Sequence, residues 1–240
     1  MLKKFLLVVL SIFTFGIQAQ NKPLQIEKIT KNLYTYTTYQ TFNGTLYSSN
    51  ALYLVTEEGV VLFDTPWDKQ LNQPLLDSIQ QKHQLAVVKV FATHWHEDRA
   101  GGFDFFNRLG IDTYASQKTN QKLAAEGLAT ATHTFKDEAV FTVGKDVFEL
   151  LFVGEGHTFD NIVVWFPKQS VLDGGCLVKS SAATDLGYIG EANLEAWPTS
   201  IINIQKRFKS AKFIIPGHDN WQGQGHLEHT LKLLKQQKSD

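Results

Sequence analysis

Leu85-Ala86-Val87-Val88-Lys89-Val90-Phe91-Ala92-Thr93-His94-Trp95-His96-Glu97-Asp98 is the stretch on which the reading of this chain turns. Leu85 to Ala92 is almost unbroken in apolar character and reads as a buried strand, and a strand that runs into a loop aims alternate side chains at one point. Three metal-capable side chains follow, two apart: His94, His96 and Asp98. Two imidazoles and a carboxylate suit zinc and related divalent ions, and suit haem or iron–sulfur chemistry poorly. A hydrogen-bonded surface cluster is the other reading of a histidine pair at a strand end, and this motif alone leaves both open.

The same arrangement recurs along the chain. His157 follows the apolar run Val147 to Val153, in Gly154-Glu155-Gly156-His157. Cys176 follows Val171-Leu172, in Asp173-Gly174-Gly175-Cys176, and His218 follows Phe213 to Ile215, in Pro216-Gly217-His218. Four different strands therefore end in a ligand-capable residue beside glycine or a turn, where rigid scaffolds place functional side chains and where glycine lets the backbone approach closely. His83, His133, His226 and His229 lack that setting and are read as solvated or helix-surface residues. Cys176 is the only cysteine, so it is a buried inert thiol, an intermolecular bridge or a thiolate ligand.

Between these points the pattern mixes strands and helices. Leu33 to Tyr39 and Asn50 to Thr56 flank Phe42-Asn43-Gly44, a hairpin signal, and Val60 to Asp64 forms a third strand. Helical periodicity runs from Lys69 through Leu71, Leu75, Leu76 and Ile79, again through Phe103 and Phe106 to a stop at Gly110, and from Ser116 to Gly127. Thr130 to Phe135 reads as connection. Strands return at Val140 to Val143, Val147 to Val153, Ile162 to Phe166, Val171-Leu172 and Phe213 to Ile215, with helices at Leu194 to Phe208 and His226 to Gln237. The pattern predicts a layered α/β or α+β domain with sheet in the middle.

The chain has 240 residues, 43% of them hydrophobic, with 23 basic and 24 acidic side chains. That suits one substantial core, and the near-neutral balance gives no reason to expect nucleic acid or an anionic membrane as partner. Lys3 and Lys4, the apolar run Phe5 to Phe15 and Gly16-Ile17-Gln18-Ala19 have the layout of a secretory signal peptide, too short to span a bilayer comfortably. Cleavage after Ala19 is expected, leaving residues 20–240 as one soluble, exported domain located in the periplasm. No exposed apolar stripe calls for a dimer, and a monomer is expected.

Through His94-x-His96-x-Asp98, His157 and His218 the chain resembles the metallo-β-lactamase superfamily. It is more closely similar to the zinc β-lactamases of subclass B1, through Gly-Gly-Cys176, Lys179 three residues on, the segment Gly190-Glu191-Ala192-Asn193-Leu194-Glu195-Ala196-Trp197-Pro198-Thr199-Ser200, and Pro-Gly-His218. The resemblance implies an α+β fold, the αββα sandwich, with the site at one edge between two sheets. It implies two zinc ions, one held by His94, His96 and His157 with an open fourth position and one held by Asp98, Cys176 and His218. The implied reaction is hydrolysis of the β-lactam ring of penicillins, cephalosporins and carbapenems by a metal-bound hydroxide, which confers antibiotic resistance. In it Asp98 would orient the nucleophile, Lys179 would pair with the substrate carboxylate, and Asn193 would help polarise the lactam carbonyl.

Thioesterases and lactonases of the same superfamily usually carry a histidine immediately after the motif's aspartate. Here that place is Arg99, which offers no lone pair, so Cys176 supplies the missing donor and Arg99 is expected to buttress the site floor. Such a hydrolase, or an exported zinc-binding protein without catalysis, is the alternative. A solvated lysine and a helix N-cap are the plain readings of Lys179 and Asn193. Asp64 is read either as a carboxylate that accepts a hydrogen bond from a ligand histidine or as the N-cap of a helix beginning near Trp67. The hairpin tip at Phe42 to Gly44, with Tyr39 nearby, could fold over the pocket. Trp197-Pro198 is expected to fix a helix start and pack in the core.

Overall fold

A computed structural model describes residues 24–238; the proposed signal segment 1–19 lies outside them. The strands are β1 (Gln25–Lys28), β2 (Leu33–Phe42), β3 (Thr45–Thr56), β4 (Gly59–Phe63), β5 (Val87–Phe91), β6 (Asp112–Ser116), β7 (His133–Phe135), β8 (Glu138–Val143), β9 (Asp146–Leu151), β10 (Val163–Phe166), β11 (Val171–Gly175) and β12 (Phe213–Pro216). The helices are α1 (Asn72–His83), α2 (Glu97–Ala100), α3 (Phe103–Arg108), α4 (Gln117–Ala125), α5 (Trp197–Arg207) and α6 (His226–Gln237).

Two sheets form, one in the order β1-β2-β3-β4-β5-β6-β7 and one in the order β12-β11-β10-β9-β8. The first is antiparallel from β1 to β4 and parallel from β4 to β7, where helices make the crossovers. In the second sheet only β11 and β12 run parallel, joined through α5. The β2–β3 hairpin closes through Asn43 and Gly44 with φ of 48° and 78°, the left-handed pair that a tight Asn-Gly turn requires.

The period of two along each strand builds the layers. Val61 and Phe63 of β4 join Phe148 and Leu150 of β9 and Val164 and Phe166 of β10 in the core between the sheets. Val60 and Leu62 point the other way, against Leu75 and Ile79 of α1 and Phe103 and Phe106 of α3. On the far side, Val163 and Trp165 of β10 meet Trp197, Ile201 and Ile204 of α5 and Leu233 and Leu234 of α6. Three cores between four layers make the fold an αββα sandwich. Aromatic rings lock its centre: Phe63 meets Phe148 and Phe166 edge to face, each at 4.9 Å between centroids, a favoured ring geometry.

Three strands depart from the sequence reading. Thr130 to Phe135, read as connection, ends in β7, an edge strand paired with β6. Neither β6 nor β1 was expected. All three are short, and β1 and β7 show mostly exposed side chains, so backbone pairing across space, and no apolar alternation, defines them. Tyr114 of β6 is held by its stack on Phe91, 4.6 Å away. Helix α5 begins at Trp197, three residues later than Leu194, because residues 193–196 form the turn that leads into it.

The carboxyl ends of β4, β5, β11 and β12 meet at one edge of the sandwich. Asn50 of β3 ties the sheets together there, its side chain donating to the carbonyls of Pro216 and Asp219 and its backbone N–H to that of Gly217.

Candidate metal centre

Beyond β5 the chain leaves the sheet, and two interactions hold the His94-Trp95-His96 loop. Asp64 accepts the backbone N–H of Thr93 at 2.7 Å and its hydroxyl at 3.0 Å. Asp160 accepts the backbone N–H of Trp95 at 3.0 Å and the Thr119 hydroxyl at 2.8 Å. The His157 loop is closed by Asn161, which donates to the Gly154 carbonyl and accepts from the Thr158 N–H.

These constraints bring three ring nitrogens together. His96 Nδ1 lies 3.1 Å from His94 Nε2 and 3.2 Å from His157 Nε2. The other nitrogen of His96 lies 2.8 Å from a Glu191 carboxylate oxygen. A carboxylate can only accept, so the proton sits on Nε2 and the Nδ1 lone pair faces the two neighbouring rings. Burial, reinforced by the neighbouring imidazoles, holds His94 well below the ordinary histidine range; burial and then Lys179 do the same for His157. Both rings are neutral and able to present lone pairs.

A second group adjoins the first. Cys176 Sγ lies 3.1 Å from His218 Nε2 and 3.6 Å from Asp98 Oδ2, and Asp98 Oδ2 is 3.5 Å from His218 Nε2. His218 Nδ1 donates to the Ser48 carbonyl, which leaves Nε2 as the free lone pair. Burial draws the His218 pKa down to about 4. It would raise the Asp98 carboxyl too, but Arg99 and the His218 and His94 rings more than offset this and hold it well below the usual range. The Cys176 thiol is pushed up to about 12, again by burial. A metal cation in contact with sulfur would supply the positive charge that a thiolate needs.

The donors therefore fit a divalent metal. Among the described residues, the sets His94–His157–Cys176, His94–His96–Asp98 and Asp98–Cys176–His218 each keep their ligand atoms within 4.8 Å of one another. His96 Nδ1 and His218 Nε2 present lone pairs towards the other donor atoms, and a cation would be shared by all of them, so the arrangement is complementary to metal. His83, His133 and His229 stay outside it, as expected. His226 departs from the surface reading: it is buried, and its Nδ1 accepts the backbone N–H of Ser181 at 2.8 Å, a helix–loop tie that no local pattern reveals.

Arg99 forms the floor. Its Nη1 donates to the Asn50 carbonyl at 2.6 Å and to Asp64 at 3.1 Å, its Nη2 to Cys176 Sγ at 3.1 Å and the Gly217 carbonyl at 2.8 Å, and its Nε pairs with Asp98 at 2.9 Å. One fully buried guanidinium thus joins two sheets and two members of the second group. Asp64 plays neither of its expected parts: it bonds no histidine, and Asp68 caps the following turn. Its partners are Thr93 and Arg99, a pairing made across space.

Lys179 is buried, and its ammonium stands 5.3 Å from the centre of the Trp197 ring. Burial lowers its pKa, against the pull of Cys176 and Asp98, which puts its charge beside the second group. The Asn193 carboxamide donates to Glu155 at 2.7 Å and accepts the Ala196 N–H at 3.0 Å, which caps the turn before α5. Trp197 packs in the core and donates its indole N–H to the Leu177 carbonyl. The hairpin tip approaches the centre through a chain of rings: Phe42 lies 5.3 Å from Trp67, and Trp67 lies 5.7 Å from His218.

Sequence reasoning missed Asp160, Asn161 and the Glu191 contact. Asp160-Asn161, two polar residues wedged between His157 and an apolar strand, is the only local signal among them.

A family model described as the metallo-beta-lactamase superfamily matches residues 44–226. The chain is 53% identical over 232 residues to metallo-beta-lactamase IND-1 of Chryseobacterium indologenes, across 96% of this chain and 97% of that protein. It is 45% identical to a metallo-beta-lactamase type 2 of Elizabethkingia meningoseptica, across 95% and 93% of the two chains. Among solved structures, the crystal structure of metallo-beta-lactamase IND-7 is similar with a TM-score of 0.88 and 55% identity, covering 90% of this chain and 100% of that one.

Proposed function

The chain belongs to the metallo-beta-lactamase superfamily, and from that membership we propose that it hydrolyses β-lactam antibiotics with two zinc ions, as an exported, periplasmic, monomeric enzyme of subclass B1 that confers resistance. The observation that carries the reading is the pair of donor trios sharing one mouth: His94, His96 and His157, joined through His96 Nδ1, beside Asp98, Cys176 and His218. Nitrogen and thiolate donors in sets of three suit zinc. When bound, zinc supplies Lewis acidity and lowers the pKa of a coordinated water towards ~7.

The chain's own residues supply the rest. Asp98, kept ionised by the Arg99 pair at 2.9 Å, presents a carboxylate oxygen that accepts a hydrogen bond from the attacking water and orients it. Lys179 carries a buried charge for which no ion pair is found among the described residues, and a β-lactam carries a carboxylate to meet it. Asn193 spends one amide N–H on Glu155 and keeps the other for the lactam carbonyl, an oxyanion-type contact. Trp67 and Phe42 offer apolar area to the substrate body. No helix among the described residues is long and apolar enough to cross a membrane.

The test is turnover of a carbapenem and a cephalosporin by the purified, zinc-loaded protein, beside a thioester and a lactone. Opening of both β-lactam rings is expected; cleavage of the thioester or lactone with neither β-lactam touched would overturn the proposal. Lys179→Ala is expected to raise KM for both drugs roughly 10- to 100-fold with a smaller effect on kcat, because a charge-assisted hydrogen bond is worth about 1.5–3 kcal/mol. Steady-state kinetics decide it, and an unchanged KM would remove Lys179 from the carboxylate site. For Cys176→Ser, weaker binding at the second trio is expected with the first still filled, by more than the roughly 10-fold that loss of an outer partner costs. Metal titration with unchanged stoichiometry and affinity would strike Cys176 from the ligand set.

A further inference from the structure

Residues 176–196 run from β11 to α5 without helix or strand, and connections of that length inside a compact fold usually carry function. This one touches both halves of the centre. Its start provides Cys176 to the second trio, and its far end lays the Glu191 carboxylate on His96 Nε2 of the first trio, at 2.8 Å. Glu191 is itself held. Its other oxygen lies 3.6 Å from the Lys122 ammonium of α4, and that ammonium is fixed by Glu126 at 2.6 Å and stands 4.6 Å from the centre of the Trp95 ring. Tyr188, from the same connection, meets the His96 ring edge-on at 5.7 Å. Two residues beyond Glu191, the Asn193 N–H bonds the Gly156 carbonyl at 2.8 Å, beside His157.

We propose that Glu191 is a positioning residue: by accepting the Nε2 proton of His96 it aims Nδ1 into the first trio, and so couples metal occupancy there to the seating of the 176–196 connection that bears Lys179 and Asn193. The inference deepens the zinc-hydrolase reading and rests on it. A cation on one imidazole nitrogen makes the opposite N–H a stronger donor, and a carboxylate on that N–H makes the ring a better ligand. The effect is reciprocal by linkage: metal tightens the loop, and the seated loop tightens the metal. His94 and His157 have no such carboxylate; a threonine hydroxyl lies 3.4 Å from His94 Nδ1, and His157 Nδ1 is buried without a hydrogen-bond partner. Within the first trio, Glu191 is therefore the one carboxylate that orients a ring directly, while Asp64, Asp160 and Asn161 hold the loops.

Cobalt(II) titration of the full-length mature protein reads the two trios separately, the first by ligand-field bands and the second by the thiolate-to-cobalt charge-transfer band. Glu191→Ala is expected to weaken cobalt at the histidine trio roughly 10- to 100-fold while leaving the thiolate band's midpoint in place. Glu191→Gln, which keeps an acceptor without the charge, is expected to fall between the two. Amide hydrogen exchange adds a readout that a packing role would not move: metal slows exchange across 186–196 in the wild type and does so less in Glu191→Ala. Wild-type binding with neither variant changed, or an equal loss at both trios, would overturn the role of Glu191 alone. No cobalt bound by the wild type would overturn the metal reading and this inference with it.

Discussion

Exhaustive chelation is expected to lower hydrolysis of a carbapenem and of a cephalosporin by at least about 10³-fold, with recovery when zinc is returned. The size of the effect follows from what the protein holds by itself. The Cys176 thiol is buried with its pKa pushed up to about 12, so at neutral pH it is not a thiolate and not a competent nucleophile. His94, His157 and His218 are neutral because burial opposes their charge; Asp98 is a weak base, its pKa held well below the usual carboxylate range chiefly by Arg99. These five side chains thus contain no group able to open an amide unaided, and His96, with its Nε2 proton given to Glu191, joins them in presenting a donor atom to a cation. Activity should be followed together with metal content, so that the loss tracks the ions removed. Turnover that persists in protein shown to be metal-free would sink the proposed chemistry, and loss without recovery would point to collapse of the site.

Arg99→Ala is expected to destabilise the fold by about 3–5 kcal/mol, the cost of stranding a buried charge by removing its partner. The guanidinium is wholly buried and serves Asp64, Asp98, the Cys176 sulfur and two backbone carbonyls. Asp64 already has its pKa raised to about 6 by burial in spite of Arg99. Asp173, also buried, is pushed up to about 8, by burial first and then by Asp64. Without the cation these carboxyls lose the charge that lets any of them ionise, and the carbonyls of Asn50 and Gly217 lose a donor. Lysine is no substitute: three donors on a flexible stem cannot reach five partners that lie in the plane of a fork. Denaturant unfolding of the metal-free protein measures the effect apart from any change in metal affinity. A loss below about 1 kcal/mol, the scale of an exposed pair, would show that the floor of the site does not depend on Arg99.

The local patterns of the chain were enough to reach the main strands, every helix but the four-residue α2, and the six candidate donors. Unbroken apolar runs report which strands are covered on both faces, as in Val60 to Phe63 and Val163 to Phe166, because successive side chains point to opposite faces and both faces are buried. A histidine or cysteine at a strand end beside glycine is visible in the same way. The edge strands β1 and β7 and the short inner strand β6 escaped because hydrogen bonds to a distant strand define them, and their side chains carry little of that information.

The partners of the donors were equally out of reach. Asp64 was read against its neighbours and paired instead with Thr93 and Arg99, 29 and 35 residues away; His226 was placed on the surface and is buried against Ser181, 45 residues back. The Glu191 contact spans 95 residues. Sequence alone therefore determined which side chains could bind metal and that a layered α/β or α+β domain would carry them, since both follow from residue type and short-range period, while the αββα sandwich came from the family resemblance. Only the tertiary structure decided which nitrogen of each histidine faces the centre and which carboxylates hold the floor, because hydrogen bonds between residues far apart in the chain exist only after the two sheets have packed.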